Sequence, residues 1–195
     1  SCQACDRAKE SILATFRDDF GKYGPRANPL LLAKVFARIP LLVGNKFKYS
    51  HVDREVRSSE LGPALERLCL ARVAAKVRHS SCNGIPLGAE ADDRAFKVLF
   101  LDVGLMVRAA GLGLADFERA GDPLLVNAGA VCEQFVGQQL LHSRPWYEEP
   151  AVHYWIREKA NAGAEVDYVL SEGERIVPIE VKAGKSGTLK SLHLF

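Results

Sequence analysis

Two opposite charges interrupt an apolar run near the C-terminus of this 195-residue chain. The run is IVPIEVKAG, residues 176–184, and its charged residues are Glu180 and Lys182. Successive side chains of a strand point to opposite faces, so Glu180 and Lys182 would share one face and lie close together. An edge strand with a solvated polar face explains the same pattern, and the surrounding sequence has to decide between the two interpretations.

A neighbouring strand would bring another carboxylate to this pair. The segments AEVDYVL (164–170) and RIVPIEVKAG (175–184) are separated by the turn sequence SEGE, which predicts an antiparallel hairpin. In such a hairpin Asp167 can lie opposite the level of Glu180 and Lys182. Pro178 argues against a central position for the last strand, because proline cannot donate to the hydrogen-bond ladder.

Another carboxylate, Glu133, belongs to a predicted helix over residues 127–143, which precedes a predicted strand at 151–156. Glu133 is at the border of the apolar face of this helix, where its side chain can lean over the edge of a packed sheet. Carboxylates and a lysine that converge at one end of a sheet are costly to bury without a counter-ion, and Mg²⁺ or Mn²⁺ suits oxygen ligands. The predicted apolar face consists of Val131, Cys132, Phe135, Val136 and Leu140.

The N-terminal half predicts helices followed by a hairpin. Helices are expected over 10–24, where Gly24-Pro25 ends the pattern, over 29–39, near 52–56, and from Ser59, whose side chain could cap the last of them. A hairpin is expected from the segments 71–77 and 95–106. This order is that of a winged helix, whose third helix would lie in the DNA major groove. The predicted inner face of that third helix is Leu61, Leu65, Leu68 and Cys69.

The charge distribution supports a division at residue 110. Residues 1–110 carry 18 Lys and Arg against 12 Asp and Glu, whereas residues 111–195 carry 8 against 12. A basic region next to an acidic one favours a polyanion partner for the basic part, although a solvated surface or a protein-docking module explains the same excess. Glu60 and Glu66 on the third helix favour that alternative. The candidate phosphate contacts are Lys46, Lys48, Arg54, Arg57, Arg67, Arg72 and Arg78.

The order of a helix with Glu, a strand, a strand with Asp and a strand with E-x-K resembles the PD-(D/E)XK nuclease superfamily of restriction endonucleases and Holliday-junction resolvases. More narrowly, the chain resembles, over nearly its full length, the C-terminal region of prokaryotic AAA-type ATPases called domain of unknown function 4143. The stretches that carry this resemblance are TFRDDFGKY, GNKFKYSHV, FKVLFLDVGLM, GAVCEQFV, VHYWIREKANAGAEVDYVL and VPIEVKAGKSGTLKSL.

The resemblance implies an α/β chain, α+β overall. A winged-helix-like region at 1–110 would precede a restriction-endonuclease-like αβββ(α) core at 111–195, incomplete at its C-terminus. It also implies that Asp167, Glu180 and Glu133 bind Mg²⁺ or Mn²⁺, and that Lys182 stabilises the attacking hydroxide or the phosphate charge during phosphodiester hydrolysis.

Two functional hypotheses follow for a protein that begins with Ser1 and is expected to be a piece of a larger polypeptide. One is a metal-dependent DNA nuclease attached to an ATPase. The other is a non-catalytic module that binds DNA or a protein for that ATPase, in which the four site residues form an ion-pair network. No P-loop motif is present, so ATP is not expected to bind this chain. The five cysteines and the lack of a long apolar run favour a cytoplasmic protein without a membrane span.

Overall fold

Helices make up most of the N-terminal part of the chain. The computed structural model describes residues 2–22, 28–113, 128–143, 145, 147–148, 151–157, 163–184 and 189–195. Helix α2 begins after Asn28, whose side chain accepts hydrogen bonds from the N–H groups of Leu30 and Leu31, and Pro29 occupies its first position. The first four helices are α1 (Cys2–Asp19), α2 (Pro29–Leu42), α3 (Tyr49–Val52) and α4 (Ser58–Leu70).

The bounds of these helices differ from the prediction in several places. Helix α1 begins well before residue 10, and Gly24-Pro25 lies outside the described residues. Helix α2 continues through Pro40, which is buried in the core, and α3 ends where the predicted helix near 52–56 was to begin. The predicted Ser59 cap is wrong, because Arg57 is the N-cap residue of α4 and makes no side-chain cap. The predicted inner face of α4 is confirmed for Leu61, Leu65 and Leu68, which are fully buried.

The strands are β1 (Ala74–Ser80), β2 (Ala91–Phe100), β3 (His153–Arg157), β4 (Ala164–Glu172) and β5 (Arg175–Ile179). They form a single mixed sheet in the order β2-β1-β3-β4-β5. The β1–β2, β3–β4 and β4–β5 pairs are antiparallel, which confirms both predicted hairpins, and β1 and β3 are parallel. The predicted strand 95–106 is wrong at its end, because residues 103–106 are helical. β5 lies at an edge, as Pro178 predicted. The remaining helices of the described residues are α5 (Val103–Ala109), α6 (Ala128–His142) and α7 (Lys190–Leu194).

The hairpin predicted as the wing of a winged helix is instead part of this sheet. β1 pairs in parallel with β3, with Arg78 opposite His153 and His79 opposite Tyr154. The wing of a winged helix is an exposed hairpin that flanks the DNA backbone. In this chain, strand β1 of the hairpin lies between β2 and β3, so the hairpin is built into the sheet. The sheet therefore joins strands from both sides of residue 110, and the division into 1–110 and 111–195 stays a prediction.

Helix α6 approaches the sheet through small and polar residues. A Cβ atom on Gly137 would lie 2.5 Å from Tyr168 Oη and 2.6 Å from a Leu99 methyl carbon, so only glycine permits this close contact. The buried Gln134 side chain accepts a hydrogen bond from Phe100 N at 2.9 Å and donates one to Phe100 O at 2.6 Å. Gln134 thus pairs with the backbone of edge strand β2 as a neighbouring strand would.

The predicted apolar face of α6 is confirmed for Val131, Val136 and Leu140, which pack partly buried against the core, and is wrong for Phe135. Its inward positions are Ala130, Gln134 and Gly137, and the predicted face residue Phe135 is 52% exposed. The large core lies between the helices and the sheet, with the rings of Phe16, Phe20, Phe36 and Phe100 in contact along it. Among the described residues, no helix combines the length and the apolar character needed to cross a membrane.

Candidate functional site

The β4–β5 hairpin brings Asp167 to the level of Glu180. Tyr168 lies opposite Ile179 in the ladder, and the next position outward places Asp167 opposite Glu180. β5 ends at Ile179, so Glu180 and Lys182 follow the strand and do not form part of its ladder. The N–H of Val181 donates to Asp167 Oδ2 at 2.8 Å, which fixes the aspartate side chain against the turn of the chain.

Lys97 of β2 points into the same region and joins three carboxylates. Its Nζ lies 3.4 Å from Glu133 Oε2 and 3.5 Å from Asp167 Oδ1, and it forms a short ion pair with Glu165. The Lys97 side chain is only 3% exposed. Burial alone would lower the pKa of Lys97, but the surrounding carboxylates outweigh burial and raise it. We call Lys97, Glu133, Glu165 and Asp167 the carboxylate cluster.

Glu133 is the most strongly perturbed carboxylate of the cluster. A turn after α2 covers it, because a Cβ atom on Gly44, which has a φ of +81°, would lie 3.3 Å from Glu133 Oε1. Burial raises the pKa of Glu133 to about 7, against the opposing charge of Lys97 and with a further contribution from Asp167. The Tyr168 hydroxyl donates to the Glu133 backbone carbonyl at 2.7 Å, which anchors the helix at this point. Glu133 therefore takes up a proton near neutral pH.

Glu180 and Lys182 form a separate ion pair at the end of the hairpin. The hydrogen bond from Lys182 to Glu180 raises the pKa of the lysine. The Glu180 side chain is 4% exposed, whereas that of Lys182 is 41% exposed. Glu180 Oε2 is buried, and it has no hydrogen-bond partner among the residues that the structure describes. Asp167, by contrast, forms its ion pair with Lys97 and not with Lys182.

The predicted catalytic residues thus lie in one region, but their arrangement does not fit the divalent cation that the resemblance implies. The ammonium of Lys97 already lies within ion-pair distance of two of the three implied ligands, Glu133 and Asp167. A fixed positive charge there repels a metal ion and occupies the space that its ligands would enclose. Within the described part of the chain, no set of three or more His, Cys, Asp or Glu side chains is arranged to hold a metal ion.

Sequence reasoning missed Lys97 and Glu165. Lys97 interrupts the apolar segment AFKVLFL in the same way as Glu180 and Lys182 interrupt theirs, so the same criterion would have found it. Glu165 precedes Asp167 by two residues in β4 and so shares its face. Asp102, which follows the apolar end of β2, caps α5 by accepting a hydrogen bond from Leu105 N at 2.8 Å.

The predicted phosphate contacts are distributed over the N-terminal half. Arg78 is paired with Asp93 at 3.1 Å, and Glu66 on the outer face of α4 pairs with Lys76. The outer face of α4 also exposes Glu60, so this helix presents acidic groups where a major-groove reader would carry donors for bases. Of the candidates, Lys46, Lys48, Arg54, Arg57, Arg72 and Arg78 are exposed and Arg67 is half-buried.

Comparison with known families divides the chain in two. Residues 128–195 match a domain of unknown function (DUF4143), so the resemblance inferred over nearly the full length is restricted to this segment. Residues 3–116 match a different domain of unknown function (DUF8612). No curated protein and no solved structure matches the chain. The second of these family models covers more than half of the 195 residues, and the chain therefore belongs to the DUF8612 family.

Proposed function

We propose that this chain is a non-cleaving, nuclease-like module that holds DNA for an adjoining AAA-type ATPase. The observation that carries the proposal is the position of Lys97, whose ammonium neutralises Glu133, Glu165 and Asp167 from within the cluster. Metal-assisted phosphodiester hydrolysis needs an open cation site to activate water and to neutralise the phosphate. A buried ion-pair network supplies neither of these functions and instead links β2, β4 and α6.

The basic N-terminal half supports DNA as the partner. Exposed Lys48, Arg54 and Arg57 lie in and beside the segment between α2 and α4, in the half of the chain that has the positive excess. The acidic outer face of α4 disfavours base reading by that helix. Binding is therefore expected through the phosphate backbone, without sequence preference and with a strong dependence on salt.

The test combines binding and cleavage on the same DNA. Fluorescence anisotropy with a labelled duplex over a series of salt concentrations should show binding that weakens as salt rises, with a slope of about −0.9 for each phosphate contact. The double variant Arg54→Glu/Arg57→Glu should weaken binding and flatten that slope. Arg175→Glu, at the start of β5 on the acidic half, is the matched control and should leave the binding unchanged.

The same mixtures, incubated with Mg²⁺ or Mn²⁺, should return intact single-stranded, duplex and branched DNA. Cleavage that Asp167→Asn abolishes would contradict the proposal. If neither the wild type nor any variant raises the anisotropy of the labelled DNA, the chain does not bind DNA, and this result would point to a protein partner in its place.

One observation favours the second candidate, phosphodiester hydrolysis. Glu180 Oε2 is buried without a hydrogen-bond partner in the described part of the chain, and such an orphaned carboxylate oxygen is costly unless a ligand satisfies it. The cleavage assay decides between the two candidates, because only hydrolysis predicts products that depend on Asp167.

A further inference from the structure

Lys97 and the carboxylates that it joins come from the two differently matched parts of the chain. Lys97 lies in β2, within the segment 3–116, whereas Glu133, Glu165 and Asp167 lie in α6 and β4, within the segment 128–195. The C-terminal segment therefore supplies the negative charges of the cluster, and the N-terminal segment supplies the cation at its centre.

The electrostatics make the two contributions depend on each other. Carboxylates that share a site repel one another, and an unpaired buried carboxylate or ammonium costs several kcal/mol of solvation. Without Lys97, Glu133 and Asp167 would have no ion-pair partner among the described residues, because Lys182 is paired with Glu180. Without the carboxylates, Lys97 would be an unpaired charge with 3% exposure. Each side thus offsets the desolvation of the other.

The surroundings of Lys97 hold its ammonium in place. Lys97 lies opposite Val77 in the β1–β2 ladder, so the buried Val77 side chain lies beside it on the same face of the sheet. Its Nζ lies 5.5 Å from the centre of the Tyr154 ring, which closes another side of the site. The side chain of a surface lysine could rotate into solvent, and another cation could then bind in its place. The Lys97 side chain cannot do so, because it is buried.

We infer that Lys97 is the permanent cation of the carboxylate cluster, and that its ammonium and a divalent metal ion exclude each other there. The inference rests on the proposed non-cleaving function and gives it a physical cause. It assigns a role to a residue of the N-terminal family region in deciding what the acidic residues of the C-terminal region can bind. Loss of the ammonium would convert the cluster into a site for Mg²⁺ or Mn²⁺.

The test is a Mn²⁺ titration of the full chain by electron paramagnetic resonance, with Mg²⁺ followed by calorimetry. The wild type and Lys97→Arg, which keeps the positive charge, should bind Mn²⁺ only weakly. Lys97→Met, which keeps most of the length of the side chain, should bind Mn²⁺ at least about tenfold more tightly than the wild type. The double variant Lys97→Met/Asp167→Asn should lose this gain, because one of the oxygen ligands is then an amide.

A measurement of stability covers the case in which Lys97→Met folds poorly. A ligand that binds only the folded state stabilises it by RT ln(1 + L/Kd), where L is the concentration of free ligand, and so raises the melting temperature. Mn²⁺ should therefore raise the melting temperature of Lys97→Met and leave that of the wild type and of the double variant unchanged.

The outcomes separate this inference from the proposed function. Equal Mn²⁺ affinity of the wild type and Lys97→Met would overturn the inference, and so would the absence of both binding and thermal stabilisation in Lys97→Met. In either case, intact DNA in the wild-type cleavage assay would leave the non-cleaving function standing. Cleavage by the wild type would instead overturn the proposed function itself.

Discussion

Replacing Glu133 by glutamine tests whether the cluster buries a carboxylate that holds its proton near neutral pH. Burial raises the pKa of Glu133 from an ordinary value of 4.5 to about 7, so the folded chain binds this proton more tightly than the unfolded chain does. The contribution of Glu133 to stability is therefore highest below pH 4.5, declines as the pH rises towards 7, and levels off above it. Glutamine cannot ionise, and the variant should lack this decline.

The size of the effect follows from the pKa change. One pKa unit corresponds to 1.36 kcal/mol, so the rise from 4.5 to about 7 makes ionisation cost about 3 kcal/mol of folding free energy above pH 7. The Glu133 side chain is 18% exposed, so solvent screens this interaction little. The difference in stability between Glu133→Gln and the wild type should change in favour of the variant by about 3 kcal/mol between pH 4.5 and pH 8.

Urea unfolding followed by circular dichroism at a series of pH values measures this change. The quantity compared is the difference in the free energy of unfolding between the two proteins, followed as a function of pH. A packing cost of the new amide that does not depend on pH therefore cancels. Glu60→Gln, which removes an exposed carboxylate from α4, controls for the loss of one negative charge. Parallel stability curves for Glu133→Gln and the wild type would show that Glu133 is not a buried, proton-holding group and would refute the reasoning.

Three further predictions concern the packing around the cluster. Gly137→Ala should destabilise the fold by about 1–3 kcal/mol in the same urea assay, because its new Cβ would lie 2.5 Å from a neighbouring atom. Gly129→Ala on the same helix is the control, because its Cβ would meet no atom within 4 Å, and it should be nearly neutral. Gln134→Met should lower the free energy of unfolding by about 2–4 kcal/mol, because the backbone N–H and carbonyl of Phe100 lose their hydrogen-bond partner. Hydrogen exchange of the Phe100 amide should become faster, and an unchanged rate would contradict this pairing. Burial lowers the pKa of His153, so this residue should contribute a loss of stability as the pH falls below about 6.5. His153→Gln should remove that contribution, and melting temperatures that change with acid identically in the variant and the wild type would count against it.

The β4–β5 hairpin could be predicted because its signals are local. Alternating apolar residues, the SEGE turn and Pro178 together specify two antiparallel strands with the second at an edge, and the structure has both. The level of Asp167 followed from the same register. Such patterns extend over a few residues and need no knowledge of the rest of the fold.

The contacts that decide the chemistry were not predictable in this way, because they join distant parts of the chain. The parallel pairing of β1 with β3 leaves no turn signal, so the hairpin was assigned to a wing. Helix α6 has buried Gln134 and Gly137 where the apolar pattern favoured Phe135. Its inward face depends on the shape of Tyr168 and on the open backbone of Phe100, neither of which a helical pattern reveals.

Lys97 shows why a site cannot be assigned from its acidic residues alone. The acidic residue of the helix, Glu133, lies within residues 128–195, as do Asp167 and the E-x-K motif. By themselves these residues imply a metal site. The ammonium that changes their charge balance comes from β2, and the Gly44 turn that covers Glu133 also lies in the N-terminal family region. Since binding of a cation depends on the net charge and the open volume of the whole site, the N-terminal region determines which cation the cluster contains. The chemistry of the C-terminal segment is therefore a property of both regions together, and a fragment without Lys97 would present a different site.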